Sequence, residues 1–214
     1  YAALANGATP VNRFVKGPLT KCSVPSGEII DWPLYNYRGM MLDVSRTFRP
    51  AEDIYQYLDW LAYNKINKFH WHLTDDQGWR IEIKNYPELT AKGAWRGPGE
   101  AYKSCFGSGN KRYGGYYTQE QIKSIVKYAA ERNIEVIPEI DLPGHSGSVA
   151  VSYPDIVCRQ PENGDIKTDD NNNDFSKEIW CVAKEENYKM LDGIFKEMSK
   201  MFPSKIMNIG GDEV

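Results

Sequence analysis

Four short apolar runs, each closing on ionisable residues, restrict the fold of this chain more tightly than any other feature. They are "GMMLDVS" (39–45), "KFHWHLT" (68–74), "EVIPEID" (135–141) and "KIMNIGGDEV" (205–214). Short apolar runs bounded by Gly or polar residues predict strands covered on both faces, as in a parallel sheet. Helical patterns lie between them. "PAEDIYQYLDWLAYNK", from Pro50, has Pro in its first turn, two acids beside it, and Ile54, Leu58, Leu61 and Ala62 on one stripe. "TQEQIKSIVKYAAERN", from Thr118, opens with a capping box (Thr118, Gln121), aligns Ile122, Ile125, Val126 and Ala129, and reaches Asn133 as a cap. A third helix is predicted over 188–202, with Leu191, Ile194, Phe195, Met198 and Phe202 at helical spacing.

Strands alternating with helices imply parallel βαβ units. A (β/α)8 barrel has eight such strands and about 250 residues, so this α/β chain is expected to supply the first four strands of a TIM barrel. An open doubly wound sheet is the alternative, but no glycine-rich phosphate motif follows any strand. Residues 34–214 are therefore assigned to the N-terminal half of a barrel, truncated at Val214. Residues 1–33 fit neither pattern and are assigned to a linker or the tail of a preceding small α/β domain. The connection over 75–117 carries no helical period, and "DDNNND" (169–174) predicts a solvated surface excursion.

Composition excludes several classes of partner. The 26 basic residues are scattered and the formal charge is −3, which argues against nucleic acid. No run approaches the roughly 18 apolar residues of a membrane span. The first residues lack the order of a signal peptide, so either the protein is cytoplasmic or a leader has been removed. Cys22, Cys105, Cys158 and Cys181 allow three pairings if all are oxidised, and none is in a C-x-x-C spacing. Both structural thiols and disulfides remain open. No N-x-S/T sequon is present.

The polar residues gather at strand carboxyl ends: Asp43, Ser45 and Arg46; His72, Asp75, Asp76 and Trp79; Glu139, Asp141 and His145; Asp212 and Glu213. That is the rim where parallel barrels build active sites. Simpler roles compete at several positions. Glu139 can equally be a hydrogen-bonded barrel residue. His70 and His72 share one side of a strand, the geometry of a metal pair, but the chain has only three histidines, so such a site needs carboxylates or residues beyond Val214. His145 follows a Pro-Gly turn, which favours a rigidly held site residue. Adjacent Asp212 and Glu213 point to opposite sides of a strand and suit a division of labour better than the paired roles of an ordinary two-carboxylate glycosidase. The preceding glycines allow backbone or ligand to come close.

"RGMMLDVSRTF", "NKFHWHLTDDQGWRIEI", "EVIPEIDLPGHS" and "NIGGDEV", in this order, resemble the β-N-acetylhexosaminidases of glycoside hydrolase family 20. The resemblance covers about residues 37–214. It implies a (β/α)8 barrel and a retaining exo-glycosidase that releases terminal β-linked N-acetylglucosamine or N-acetylgalactosamine. It also implies substrate assistance, in which the sugar's own 2-acetamido oxygen attacks the anomeric carbon and gives an oxazolinium intermediate. By motif, Glu213 is the general acid and then base, and Asp212 orients the acetamido group. Asp75 and His145 support the acid, and Arg46 binds the sugar's outer hydroxyls. Thr47 departs from the histidine common in the family. No cofactor or metal is implied, and the partner is a glycan or chitooligosaccharide with a terminal N-acetylhexosamine.

Alternatives are a disaccharide-releasing relative such as a lacto-N-biosidase, a non-catalytic sugar-binding half that needs a partner chain, and a metal hydrolase. The implied location is secreted, periplasmic or lysosome-like. Oligomeric state is not set by the sequence.

Overall fold

The computed structural model describes residues 26–28, 30–158 and 179–211. Cys22, most of the 1–33 segment, the 169–174 excursion, Asp212 and Glu213 lie outside the described residues. In chain order the elements are β1 (Gly39–Asp43), α1 (Ala51–Tyr63), β2 (Lys68–His72), β3 (Thr74–Asp75), β4 (Gly78–Trp79), α2 (Glu88–Ala91), β5 (Trp95–Arg96), β6 (Tyr113–Gly114), α3 (Gln119–Ala130), β7 (Glu135–Glu139), α4 (Gly147–Ser152), a 3-10 turn (Pro154–Ile156) and α5 (Glu185–Met198).

β1, β2 and β7 form one parallel sheet in that order. Glu139 then bridges Asn208 in parallel, extended by Ile140 N–H to Asn208 O and Leu142 N–H to Ile209 O. Strand order follows chain order with no reversal. A doubly wound sheet reverses at its switch point, so this sheet is the run of neighbouring strands found in a barrel. Among its described residues, 205–211, the fourth run, expected as a strand over 205–214, makes a single bridge.

The helices follow their sequence patterns closely. α1 starts after Pro50, which takes the N-cap position, and buries Ile54, Leu58 and Leu61. Asp59 is buried among them because the Tyr128 hydroxyl and Arg132 Nε donate to its Oδ1 at 2.7 and 2.8 Å. In α3 both halves of the Thr118–Gln121 capping box are made, and Ile122, Ile125, Val126 and Ala129 are buried. Glu131 takes the cap position, and Asn133 supplies the left-handed turn at φ 56° beyond it. α5 begins at Glu185 and ends at Met198, with Met190, Ile194 and Met198 buried, so Phe202 packs from beyond the helix.

Three expectations need correction. β1 is not covered on both faces: Met40 and Met41 are about half exposed, because no described strand pairs with its outer edge. The 75–117 connection holds two short hairpins, β3–β4 and β5–β6, and the single turn α2. Two-residue strands and one-turn helices are too short to generate a period. α4 was not anticipated either. All six of its residues are buried and small or apolar, so it has no polar face to alternate against.

The core lies between sheet and helices. Phe69 and Trp71 are fully buried on the helix side of β2, with their rings 5.6 Å apart, and Trp71 packs on Tyr117 at 4.8 Å. Of the cysteines, Cys158 and Cys181 form a disulfide with Cα atoms 4.7 Å apart. Among the described residues no helix is long and apolar enough to cross a membrane.

Candidate active site

Register builds the site. The pairing sets Asp43 beside His72 and His72 beside Glu139, and the bridge adds Asn208, so one row of polar residues crosses the sheet at its carboxyl end. Alternation along β2 sends His70 and His72 to the face opposite Phe69 and Trp71. Asp75, three residues on, turns back over this row within the β3–β4 hairpin.

Asp75 is the hub. Its fully buried Oδ2 is hydrogen-bonded to His72 Nε2 and ion-paired with Arg46 Nη1, each at 2.8 Å. Its Oδ1 accepts from the Asp76 N–H at 2.7 Å and faces His145 Nδ1 at 3.3 Å. Arg46 Nη1 also reaches Asp43 Oδ2 at 2.8 Å, and Asp43 Oδ1 accepts the Ser45 and Arg46 N–H groups that close the loop after β1. His72 Nδ1 lies 2.8 Å from Glu139 Oε2, and His70 Nε2 meets the same oxygen.

The loop bearing His145 is pinned to this hub. Gly147 N–H donates to Asp76 Oδ1 and Ser148 Oγ to Asp75 O, which locks the start of α4 against the hairpin. His145 itself sits at φ 50°. A non-glycine residue held in the left-handed region is a mark of sites where position outweighs local comfort.

The expected residues Arg46, Asp75 and His145 are thus brought together. Asp212 and Glu213 lie outside the described residues, but Gly210 just before them is at φ 67°, and a Cβ there would stand 1.7 Å from Asp141 Oδ1. Only glycine fits this approach. Trp79 is not a site residue: it is fully buried, with its indole N–H donating to Ile81 O at 2.6 Å.

Arg80 was missed by the sequence reading. Fully buried, it donates to the carbonyls of Val44, Ser45, Gln77, Ala94 and Gly115, tying the loop after β1 to both hairpins. Burial pulls its guanidinium down to about 10. The available signal was a cation inside the apolar "GWRIEI" run.

Among the described residues, three sets of donors come within 4.8 Å of one another: Asp43, His72 and Asp75; His72, Glu139 and Asp141; Asp75, Asp76 and His145. A metal on the His70–His72 pair would displace their hydrogen bonds to Glu139, and His72 also spends its other nitrogen on Asp75. The donor set fits an ion-pair network better than a metal centre.

Charge compensation sets the protonation of the cluster. Burial opposes the charged form of Asp75, but the His145 and His72 hydrogen bonds and the Arg46 charge outweigh it and hold the carboxyl well below the usual range. Burial likewise opposes charge on His72, yet hydrogen bonds to Asp75 and Glu139 raise it to about 10. The hydrogen bond to Asp75 raises His145 to about 9 against burial. Glu139, which burial would raise, falls to about 2 through His70 and His72.

A stability profile follows from these shifts. Between the ordinary histidine value of 6.5 and about 10 the folded chain binds more protons than the unfolded one, so stability falls as pH rises through that window. Between 4.5 and about 2 the unfolded chain binds more, so stability falls as pH drops. Thermal melts are expected to show the highest Tm between about pH 4.5 and 6.5, and His72→Gln should flatten the alkaline slope. A Tm that rises from pH 7 to 9 would contradict this charge assignment.

Comparison with known proteins gives the family of the chain. The model described as glycosyl hydrolase family 20, catalytic domain, matches residues 35–214. A beta-hexosaminidase of Vibrio furnissii is 44% identical over 191 residues, 89% of this chain and 31% of that protein. The crystal structure of an exo beta-N-acetylglucosaminidase from Vibrio harveyi, in complex with N-acetylglucosamine, superposes with a TM-score of 0.77 at 40% identity, covering 87% of this chain and 29% of that one. A beta-N-acetylhexosaminidase from Streptomyces coelicolor A3(2) gives 0.70 at 36% identity, covering 84% and 33%. The chain therefore spans about a third or less of the relatives it matches. Its strand order is that of the TIM barrel in these enzymes, of which it carries an N-terminal portion, and the chain belongs to glycosyl hydrolase family 20.

Proposed function

We propose that the protein containing this chain is a retaining exo-β-N-acetylhexosaminidase acting by substrate assistance. The observation that carries this reading is the meeting of Arg46 and His145, distant in sequence, on the single buried carboxylate Asp75 at the barrel rim. A planar guanidinium there suits the hydroxyls of a terminal sugar. The tight approach of Gly210 to Asp141 brings the chain to the same rim two residues before Asp212.

The reaction has two steps. The 2-acetamido carbonyl oxygen attacks the anomeric carbon while Glu213 gives its proton to the departing glycosidic oxygen, and Asp212 balances the positive charge growing on the acetamido nitrogen. Water then attacks the same carbon, Glu213 takes its proton, and the oxazolinium ring opens with net retention. His145 and Asp75 tune the acid. The substrate is a glycan or chitooligosaccharide ending in N-acetylhexosamine. The Cys158–Cys181 disulfide supports an extracytoplasmic location, because disulfides persist in oxidising compartments.

Substrate chemistry tests this. Aryl β-N-acetylglucosaminides are expected to be hydrolysed, matched aryl glucosides with a 2-hydroxyl should react at least about a hundredfold more slowly, and a thiazoline mimic of the intermediate should inhibit competitively. Equal rates on the two substrates, or trapping of a glycosyl ester by a 2-fluoro sugar, would overturn the mechanism.

A further inference from the structure

One imidazole on the interior face is ringed by four carboxylates. Oxygens of Asp43 from β1, Asp75 from β3, Glu139 from β7 and Asp141 just after β7 all come within 4.8 Å of a His72 ring nitrogen. The nitrogen-bearing side chains around this ring sit on those same acids: Arg46 on Asp43 and Asp75, His70 on Glu139, and His145 on Asp75. Asn208 Nδ2 lies 3.2 Å from His70 Nε2 at the outer end of the row.

Both nitrogens of His72 face carboxylate oxygens at 2.8 Å. A neutral imidazole has one N–H and one lone pair, so a neutral ring would set that lone pair against a carboxylate. The extra proton belongs on the ring and not on either acid, because each of those oxygens already has a second nitrogen against it, Arg46 Nη1 ion-paired with Asp75 Oδ2 and His70 Nε2 at Glu139 Oε2. The ring is 5% exposed and held by register between two strands, so it cannot turn away.

We propose that His72 is held as an imidazolium between Glu139 and Asp75, and that His72 and Glu139 are positioning residues that fix the Asp75 carboxylate on which Arg46 and His145 are aligned. Its catalytic consequence rests on the hexosaminidase reading, but the arrangement of charge does not. Asp75 has two oxygens and four donors. With His72 protonated, Oδ2 holds the His72 hydrogen bond and the Arg46 ion pair, and Oδ1 is left to the Asp76 N–H and His145. With His72 neutral, Asp75 loses one of the two donors that set its plane, and His145 loses its alignment. Glu139 acts one step further back by keeping the proton on His72.

Nitrogen-15 spectra of histidine-labelled full-length protein, with the His72 signals identified by their loss in His72→Gln, test this directly. In the parent protein both His72 ring nitrogens should carry protons at pH 8. In Glu139→Gln the pH at which His72 deprotonates should fall by about one unit or more. The alkaline limb of kcat/KM should move down with it, and kcat should fall about tenfold with KM little changed, the loss of one charged hydrogen bond. A purely packing role for Glu139 would lower the profile without moving the limb. A singly protonated His72 at pH 7 in the parent protein overturns the proposal even if Glu139→Gln fails to fold, as does a variant whose His72 titration and pH limb both stay in place. A protein with no hexosaminidase turnover but a doubly protonated His72 removes the functional reading alone, whereas a neutral His72 in an active enzyme removes this proposal alone.

Discussion

Asp75→Asn is expected to cost about 3 to 5 kcal/mol of folding stability, the range for breaking a buried ion pair and leaving its partners uncompensated. Whichever way the new amide turns, its NH2 faces donors: Arg46 and His72 on one side, or the Asp76 N–H and His145 on the other. Three cationic side chains lose their shared counter-charge at once. His145, raised to about 9 chiefly by its hydrogen bond to Asp75, should return toward 6.5. Urea unfolding together with a histidine titration measures both effects. A variant within about 1 kcal/mol of the parent, below the ordinary cost of one charged hydrogen bond, would mean that Asp75 is not the hub of this site.

Glu213→Gln should lower kcat by about a hundredfold to ten-thousandfold on glycosides with a poor leaving group, the usual contribution of a positioned general acid. On an activated phenol the departing oxygen needs little protonation, so the defect in the first step should shrink. Asp212→Asn should not recover in this way, because it removes charge at the acetamido nitrogen whatever the leaving group. Rates on a series of aryl N-acetylglucosaminides of graded phenol acidity separate the two roles. If both variants respond alike to leaving-group acidity, the division of labour between Asp212 and Glu213 is wrong.

Much of the fold was legible because it depends on neighbours along the chain. The α3 stripe and its capping box came through residue for residue, since a 3.6-residue period and a three-residue capping reach are local properties. The β2 and β7 runs were found with ends trimmed by two residues. Failures fell where locality gives no pattern: α4 with no polar face, the two-residue strands of the hairpins, and the run around Asn208 that makes one bridge instead of a strand.

The candidate site divides in the same way. Sequence alone determined that Arg46, Asp75, Glu139 and His145 stand at strand carboxyl ends, and the motifs around them carried the family. It left Glu139 suspended between two roles, offered His70 and His72 as a metal pair, allowed three cysteine pairings and gave no role to Arg80. Tertiary structure set the neighbours of these residues by register and packing. Parallel pairing set His72 between Asp43 and Glu139, the β3–β4 hairpin folded Asp75 over the same ring, and a buried guanidinium found five carbonyls from four separate segments. Periodicity says which way a side chain points. Which charge it meets depends on distances across space that no spacing along the chain encodes.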